Sequence, residues 1–127
     1  MYRVSLAVLT LAALTAAAAA DEIPSLDAPT AKAKWQDYDG QKVRLTGGHV
    51  SGVNAAYDIA VYGAYGKGTV AIDTTGIDRA VVEELAAACA APNTDAVEAC
   101  AYDVIGTMGA NAAKTKARLT APEFVKP

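Results

Sequence analysis

Cys89 and Cys100 are the only cysteines of the chain, and they bound the stretch CAAPNTDAVEAC. A catalytic redox pair commonly has the spacing Cys-x-x-Cys, which this stretch does not provide. A disulfide here would close a ring of about 12 residues and contribute on the order of 3 kcal/mol to stability. Two buried free thiols are the alternative. An oxidising compartment favours the disulfide, which would tie the end of a helix to the next strand.

Other reactive groups do not form a catalytic set. His49 is the only histidine, and no cysteine or carboxylate lies at metal-ligand spacing from it. Ser51 is close to it, but the Gly-x-Ser-x-Gly pattern is missing. The glycine-rich segment 63–68 joins two predicted strands and leads into no helix, unlike a phosphate loop. We therefore expect no enzymatic activity, no metal and no cofactor.

Residues 1–20 predict a cleaved signal peptide. Arg3 precedes an uncharged apolar run over residues 4–14, and the alanines at 18–20 fit the small-residue pattern before a cleavage site. The run is short for a membrane span, and no later segment has the roughly 20 apolar residues that a spanning helix requires. An uncleaved N-terminal anchor is the alternative. We expect a periplasmic protein that starts at Asp21 and has no membrane span after cleavage.

Length and charge limit the partners of this 127-residue chain. The part after residue 20 is one small domain, which we expect to be a monomer. The chain has 11 basic and 14 acidic residues, and Arg3 is lost with the signal peptide. Nucleic acid is an unlikely partner because phosphate binding needs clustered lysine and arginine. The expected partner is an unknown protein or small ligand of the cell envelope.

Residues 21–36 predict an N-terminal leader with a short helix. Segment 21–29 contains two prolines and three acids, so we expect it to be loose. A helix is expected from Thr30 to Tyr38, with Trp35 and Tyr38 facing the same way.

Alternating apolar residues predict five strands between residues 37 and 124. In the first, KVRLTGGHVSG, a bulge at the double glycine 47–48 returns Val50 to the side of Val43 and Leu45. In the second, YDIAVYGA, Ile59 and Val61 are expected to face inward. The other three strands and their inward residues are GTVAIDTT with Val70 and Ile72, AYDVIGTM with Tyr102, Val104 and Met108, and ARLTAP with Leu119.

One amphipathic helix is expected between the third and fourth strands. Ile77, Val81, Leu85 and Cys89 recur every four residues, which is typical of one helical face. Thr75 and Asp78 resemble a capping box at its start. Pro92 is expected to end it, since proline cannot continue the helix.

This order of elements resembles the OB-fold, a five-stranded Greek-key barrel with one helix between strands three and four. The segments DYDGQKVRLTGGHVSG and YDVIGTMGANAAKTKARLTAPEF are similar to the two ends of exported bacterial OB-fold domains of the tRNA-anticodon-binding-like group. The resemblance covers residues 37–124 and implies a mainly β barrel. The group name implies nucleic-acid binding, which we do not carry over because the sequence lacks a basic stacking surface. An open meander and a ferredoxin-like domain are the competing folds.

The resemblance also suggests a ligand face, because OB-folds usually bind ligands on strands two and three. The candidates there are Tyr57, Tyr62, Tyr65 and Lys67, and the tyrosine rings could stack on a sugar, a base or a peptide side chain. Tyr62 is expected to point outward, since Tyr57 and Tyr65 share the parity of the inward Ile59 and Val61. Alternatively, the rings cover the barrel's own apolar surface.

The last predicted hairpin carries a candidate basic edge. Lys114, Lys116 and Arg118 alternate in sequence and would project on one side. They could contact an acidic partner, or form a solvated edge that discourages strand pairing.

Three functional hypotheses follow. The first is a periplasmic OB-fold binding or interaction module without catalytic activity. The second is a structural envelope accessory protein that contacts another protein through a strand edge. A small enzyme is the third, and no catalytic set supports it.

Overall fold

A computed structural model describes residues 22–127; the predicted signal peptide, residues 1–20, lies outside the described residues. Two short 3-10 turns cover Trp35–Tyr38 and Glu98–Cys100. The strands and helices, in chain order, are β1 (Ser25–Asp27), α1 (Ala28–Lys34), β2 (Lys42–Asn54), β3 (Ile59–Ala64), β4 (Gly68–Asp73), α2 (Arg79–Cys89), β5 (Ala101–Ala110) and β6 (Ala117–Val125).

Five of the strands close into a barrel in the order β2-β3-β4-β6-β5, with β5 pairing back to β2. All of these pairs are antiparallel except β4–β6, which is parallel. The extra strand β1 runs parallel to the first half of β2. The prediction of a mainly β barrel with a helix between its third and fourth strands is confirmed, and the described residues add the strand β1.

The bend of β2 lies at the predicted bulge. Its register against β5 shifts between Leu45 and Gly48, and Gly47 has a left-handed φ of 74°. The first half of β2 pairs with β5 and the second half with β3, so the bend lets one strand belong to two sides of the barrel. Val43, Leu45 and Val50 are all fully buried, as the bulge prediction requires.

The inward residues of the other strands match the prediction except in β3 and at Tyr102 of β5. Val70, Ile72, Val104, Met108 and Leu119 are buried, whereas Tyr102 is only half-buried.

In β3 the inward residues are Ala60 and Tyr62, so the prediction of inward Ile59 and Val61 is wrong. Ile59 is 42% exposed. The turn before β3 breaks the alternation, because Asp58 has a left-handed φ of 52° and Tyr57 is not a strand residue. The face of β3 that turns inward is therefore the one that carries Tyr62, although Ile59 and Val61 make the opposite face apolar.

Helix α2 begins and packs differently from the prediction. Asp78, not Thr75, caps it, with its carboxylate accepting a hydrogen bond from Ala80 N at 3.0 Å. Val82, Leu85 and Cys89 are buried, whereas Val81 is 41% exposed. Ile77 lies before the first helical residue, so the predicted four-residue spacing from Ile77 does not describe the buried face of α2.

The N-terminal segment is packed rather than loose. Leu26 of β1 and both Ala28 and Ala31 of α1 are buried. The helix starts at Ala28, earlier than predicted, because the Asp27 carboxylate caps it by accepting a hydrogen bond from Thr30 N at 2.8 Å. Helix α1 lies against β4. At Gly63, which has a φ of 146°, an added Cβ would clash with the Gly68 carbonyl oxygen of the paired strand β4, so this position requires a glycine. The same Cβ would lie 3.1 Å from the Ala28 side chain, so α1 also packs closely against this position.

A disulfide joins Cys89, the last residue of α2, to Cys100, which precedes β5. Both cysteines are fully buried. The predicted link from the helix end to the following strand is confirmed. The bond ties the C-terminal end of α2 to the start of β5. Within residues 22–127, none of the helices has the length and apolarity needed to cross a membrane.

Replacing both cysteines, as Cys89→Ala with Cys100→Ala, should lower the free energy of unfolding by about 3 kcal/mol, because the unfolded chain regains the entropy of the open loop. Urea unfolding followed by circular dichroism measures the loss. Reduction of the unmodified protein is the control and should produce a similar loss. An unchanged urea midpoint in the double variant would contradict the stabilising role.

Candidate functional site

Tyr62, expected to be the outward ring of the candidate face, is instead fully buried in the barrel. Its hydroxyl donates to the Tyr102 carbonyl oxygen at 2.6 Å and accepts from Gly48 N at 2.8 Å. Gly48 leaves the room for this ring, since an added Cβ there would lie 2.8 Å from Tyr62 Cε2. Tyr62 therefore links β2, β3 and β5 and offers no surface to a ligand.

Burial raises the pKa of Tyr62 to about 12. The hydrogen bond from Gly48 opposes this shift, and the negative charge of Asp103 adds to it. The hydroxyl thus stays protonated over the physiological range and keeps donating to Tyr102.

Tyr57 and Tyr65 are the exposed rings, at 79% and 63%, although their sequence parity predicted the opposite. They flank the two ends of β3. Tyr65 is held in place because its backbone N–H donates to the Asp95 carboxylate at 3.1 Å. Lys67 is exposed at the tip of the β3–β4 turn, where its N–H donates to the Ala64 carbonyl at 3.0 Å.

The outward side chains of β3 and β4 form a surface that we call the β3–β4 face: Ile59, Val61, Thr69, Ala71 and Asp73. Val61 pairs with Ser51 of β2 on one side and with Ala71 of β4 on the other. Ala71 in turn pairs with Arg118 of β6. Small side chains in the middle of this face leave it concave.

Three adjoining depressions lie along the β3–β4 face. The central one has a volume of about 440 Å³ and is lined by Lys32, Val61, Thr69, Ala71, Asn111, Thr115, Lys116 and Ala117. A second, of about 310 Å³, shares Val61 and Thr69 with it and extends to Tyr65. A third, of about 220 Å³, shares Ala71 and extends to Tyr57. Together they form a groove between the two exposed tyrosines.

The candidate basic edge does not form the expected alternating edge. Lys114 lies in the β5–β6 loop with a left-handed φ of 58°, and it is exposed. Arg118 is half-buried inside the sheet, where its strand pairs with both β4 and β5. Lys116 alone of the three lines the central depression. Lys114 therefore lies at a loop tip, whereas Lys116 and Arg118 line two different depressions of the groove.

Charge changes along the groove. Lys32 and Lys116 border the central depression, whereas Asp58, Asp73 and Arg118 line the depression at Tyr57. Hydrogen bonding from Thr75 lowers the pKa of Asp73, and the positive charge of Arg118 adds to this effect. Asp73 therefore remains a carboxylate, and this end would repel a long polyanion.

Sequence reasoning missed Lys32 and the floor residues of the groove. The outward position of Thr69 and Ala71 could have been read from the inward Val70 and Ile72, since strand residues alternate. Lys32 had no such signal, because its place beside the β5–β6 loop depends on how α1 packs against the barrel.

Residues 22–127 contain no cluster of three or more His, Cys, Asp or Glu side chains that could hold a metal ion. His49 is half-buried on β2, between Gly63 of β3 and Ala101 of β5. A separate depression of about 250 Å³ beside the disulfide is lined mainly by apolar and aromatic side chains, including Leu85 and Phe124.

Comparison of the chain with protein-family models, curated proteins and solved structures finds no match.

Tyr62→Phe should lower the free energy of unfolding by about 1–3 kcal/mol, because the buried Gly48 N–H loses its acceptor and the Tyr102 carbonyl loses a donor. Urea denaturation measures this loss. The matched control is Tyr57→Phe at an exposed ring, which should change stability by less than about 0.5 kcal/mol. Equal effects of the two substitutions would refute the structural role of the Tyr62 hydroxyl.

The advantage of the unmodified protein over Tyr62→Phe should shrink as the pH rises from 10 towards 12. In the unfolded chain Tyr62 ionises near its ordinary pKa of 10.0, whereas in the folded chain its pKa is about 12. The stabilisation is thus complete below pH 10 and lost through about pH 12. Urea unfolding at stepped pH values tests this, and a constant difference across the range would contradict it.

Proposed function

We propose that the protein is an exported OB-fold binding module without catalytic activity, which holds its ligand on the β3–β4 face. When the barrel strands are numbered 1 to 5 from β2, hydrogen-bonded neighbours follow the order 1-2-3-5-4-1. Helix α2 follows the third strand in the chain. A parallel pair of the third and fifth strands closes the barrel. This arrangement supports an OB-fold and a resemblance to the exported tRNA-anticodon-binding-like group.

The groove on the β3–β4 face carries the proposal. Its central depression falls within the size range of roughly 300–1,000 Å³ that is typical of small-molecule sites. Its walls come from three separate parts of the chain: α1, the β3–β4 pair and the β5–β6 loop. Exposed aromatic rings at both ends can stack on an apolar or planar ligand surface.

Export is supported by the disulfide, because such bonds persist in oxidising compartments such as the periplasm. Nucleic acid is disfavoured as the ligand because Asp58 and Asp73 lie along the groove.

The second candidate function is that of a structural accessory protein that docks on a partner through a strand edge. The exposed edge of β1 favours it. Among residues 22–127, β1 pairs only with β2 and leaves its other edge without a strand, but β1 has only three residues. The remaining strands belong to the closed barrel, which leaves little backbone for strand addition. A partner on β1 would therefore gain few main-chain hydrogen bonds.

Site-specific photo-crosslinking in cells tests the proposal. A benzophenone amino acid in place of Thr69 should yield an adduct with an envelope component, because Thr69 is exposed and lines two of the depressions. The adduct should disappear when Val61→Arg fills the groove. Mass spectrometry of the adduct measures both outcomes.

Two further positions serve as controls for this labelling. Glu123 is exposed on β6 away from the groove and should give no adduct. A benzophenone at Ser25, on the open edge of β1, reports strand-edge docking. Labelling at Ser25 but not at Thr69 would show that the partner binds the edge of β1 and not the groove. Equal labelling at Thr69 and Glu123 would refute binding in the groove.

A further inference from the structure

We infer that the central depression of the groove binds a free organic acid: a carboxylate with a short apolar body. This inference rests on the proposed function, since it assigns a ligand class to the same face. The carboxylate would lie between the ammonium groups of Lys32 and Lys116, and the apolar body would rest on Val61, Ala71 and Ala117.

The positive charge of the depression is not neutralised by neighbouring carboxylates. Lys32 and Lys116 line it, and none of the described lining residues is acidic. The ion pairs found within residues 22–127 are Arg44–Asp103 and Arg79–Glu83, which leave both lysines unpaired. A surplus of cations in one depression of a chain with net charge −3 favours an anionic ligand by charge complementarity.

The lysines come from distant parts of the chain, and one of them stands on a braced loop. The Asn111 side-chain carbonyl accepts from Thr115 N at 2.9 Å and from Lys116 N at 3.2 Å. The Asn111 backbone N–H also donates to the Lys116 carbonyl at 2.9 Å. The backbone that carries Lys116 is therefore preorganised, which lowers the entropic cost of binding.

The floor distinguishes an organic acid from an inorganic anion. Val61, Ala71 and Ala117 present methyl groups beside the two charges, and Thr69 and Thr115 add hydroxyls at the side. An apolar body buried on this floor would gain free energy in proportion to its covered area. Phosphate or sulfate would leave the floor uncovered.

Hexanoate titrated into the isotopically labelled protein provides the test, with amide NMR shifts as the readout. Binding should shift the amides of Lys32, Ala71 and Lys116. Lys32→Met with Lys116→Met should weaken hexanoate binding about tenfold, because both charge-assisted hydrogen bonds are lost. The matched control, Lys34→Met with Lys114→Met, removes one lysine from the same helix and one from the same loop, outside the depression, and should leave the affinity unchanged.

Matched ligands separate the components of the inference. Hexanol has the apolar body without the charge, and phosphate has the charge without the body; both should bind at least about tenfold more weakly than hexanoate. Equal binding of hexanol would overturn the role of the lysines, and equal binding of phosphate would overturn the role of the floor. If a blocked glutamate dipeptide bound more tightly than hexanoate, the ligand class would be an acidic peptide and not a free organic acid.

The photo-crosslinking experiment distinguishes failure of this inference from failure of the proposed function. If hexanoate shifts none of these amides while the Thr69 position still forms its adduct, only the ligand class is wrong. If neither result is obtained, the binding role of the β3–β4 face is wrong as well.

Discussion

The buried Tyr62 hydroxyl is the interaction on which the rest of the structure depends. It bridges Gly48 of β2 and the Tyr102 carbonyl of β5 from a position on β3, at the bend where β2 changes partners. A polar group at this depth is stable only when its hydrogen bonds are satisfied, and both partners are present here. Because the ring must point inward, the neighbouring Val61 must point outward, and this places Val61 on the floor of the groove.

The groove is then completed by parts of the chain that lie outside the barrel sheet. Helix α1 is fixed by the Asp27 cap and by its seat against Gly63, so Lys32 stands at the rim. Asn111 braces the β5–β6 loop and sets Lys116 at the same depression. Local hydrogen bonds thus shape each of the two walls, whereas the packing of α1 on the barrel brings the walls together. The disulfide lies at the C-terminal end of α2 and closes the loop that carries Pro92, a lining residue of the depression at Tyr65.

Much of the fold could be predicted because most of its strands alternate regularly. The inward Val70, Ile72 and Leu119 followed from period-two alternation, and the bulge of β2 followed from the parity of Val50. In β3 the side chains also alternate, but the choice of the inward face was wrong, because the apolar Ile59 and Val61 lie on the outer face and Tyr62 lies on the inner one. Capping was also misjudged, since either Thr75 or Asp78 could cap α2 and only the path of the chain selects Asp78.

The sequence alone determined the number and order of the barrel strands, the position of α2 and the pairing of the two cysteines, because alternation, helical period and covalent chemistry are local or nearly so. Tertiary structure decided which tyrosine is core and which two are surface, and it brought Lys32 to Lys116 across more than half of the chain. The physical reason is that both outcomes depend on non-local contacts. The buried Tyr62 hydroxyl forms its hydrogen bonds with residues of two other strands. The groove exists only because separate elements pack side by side.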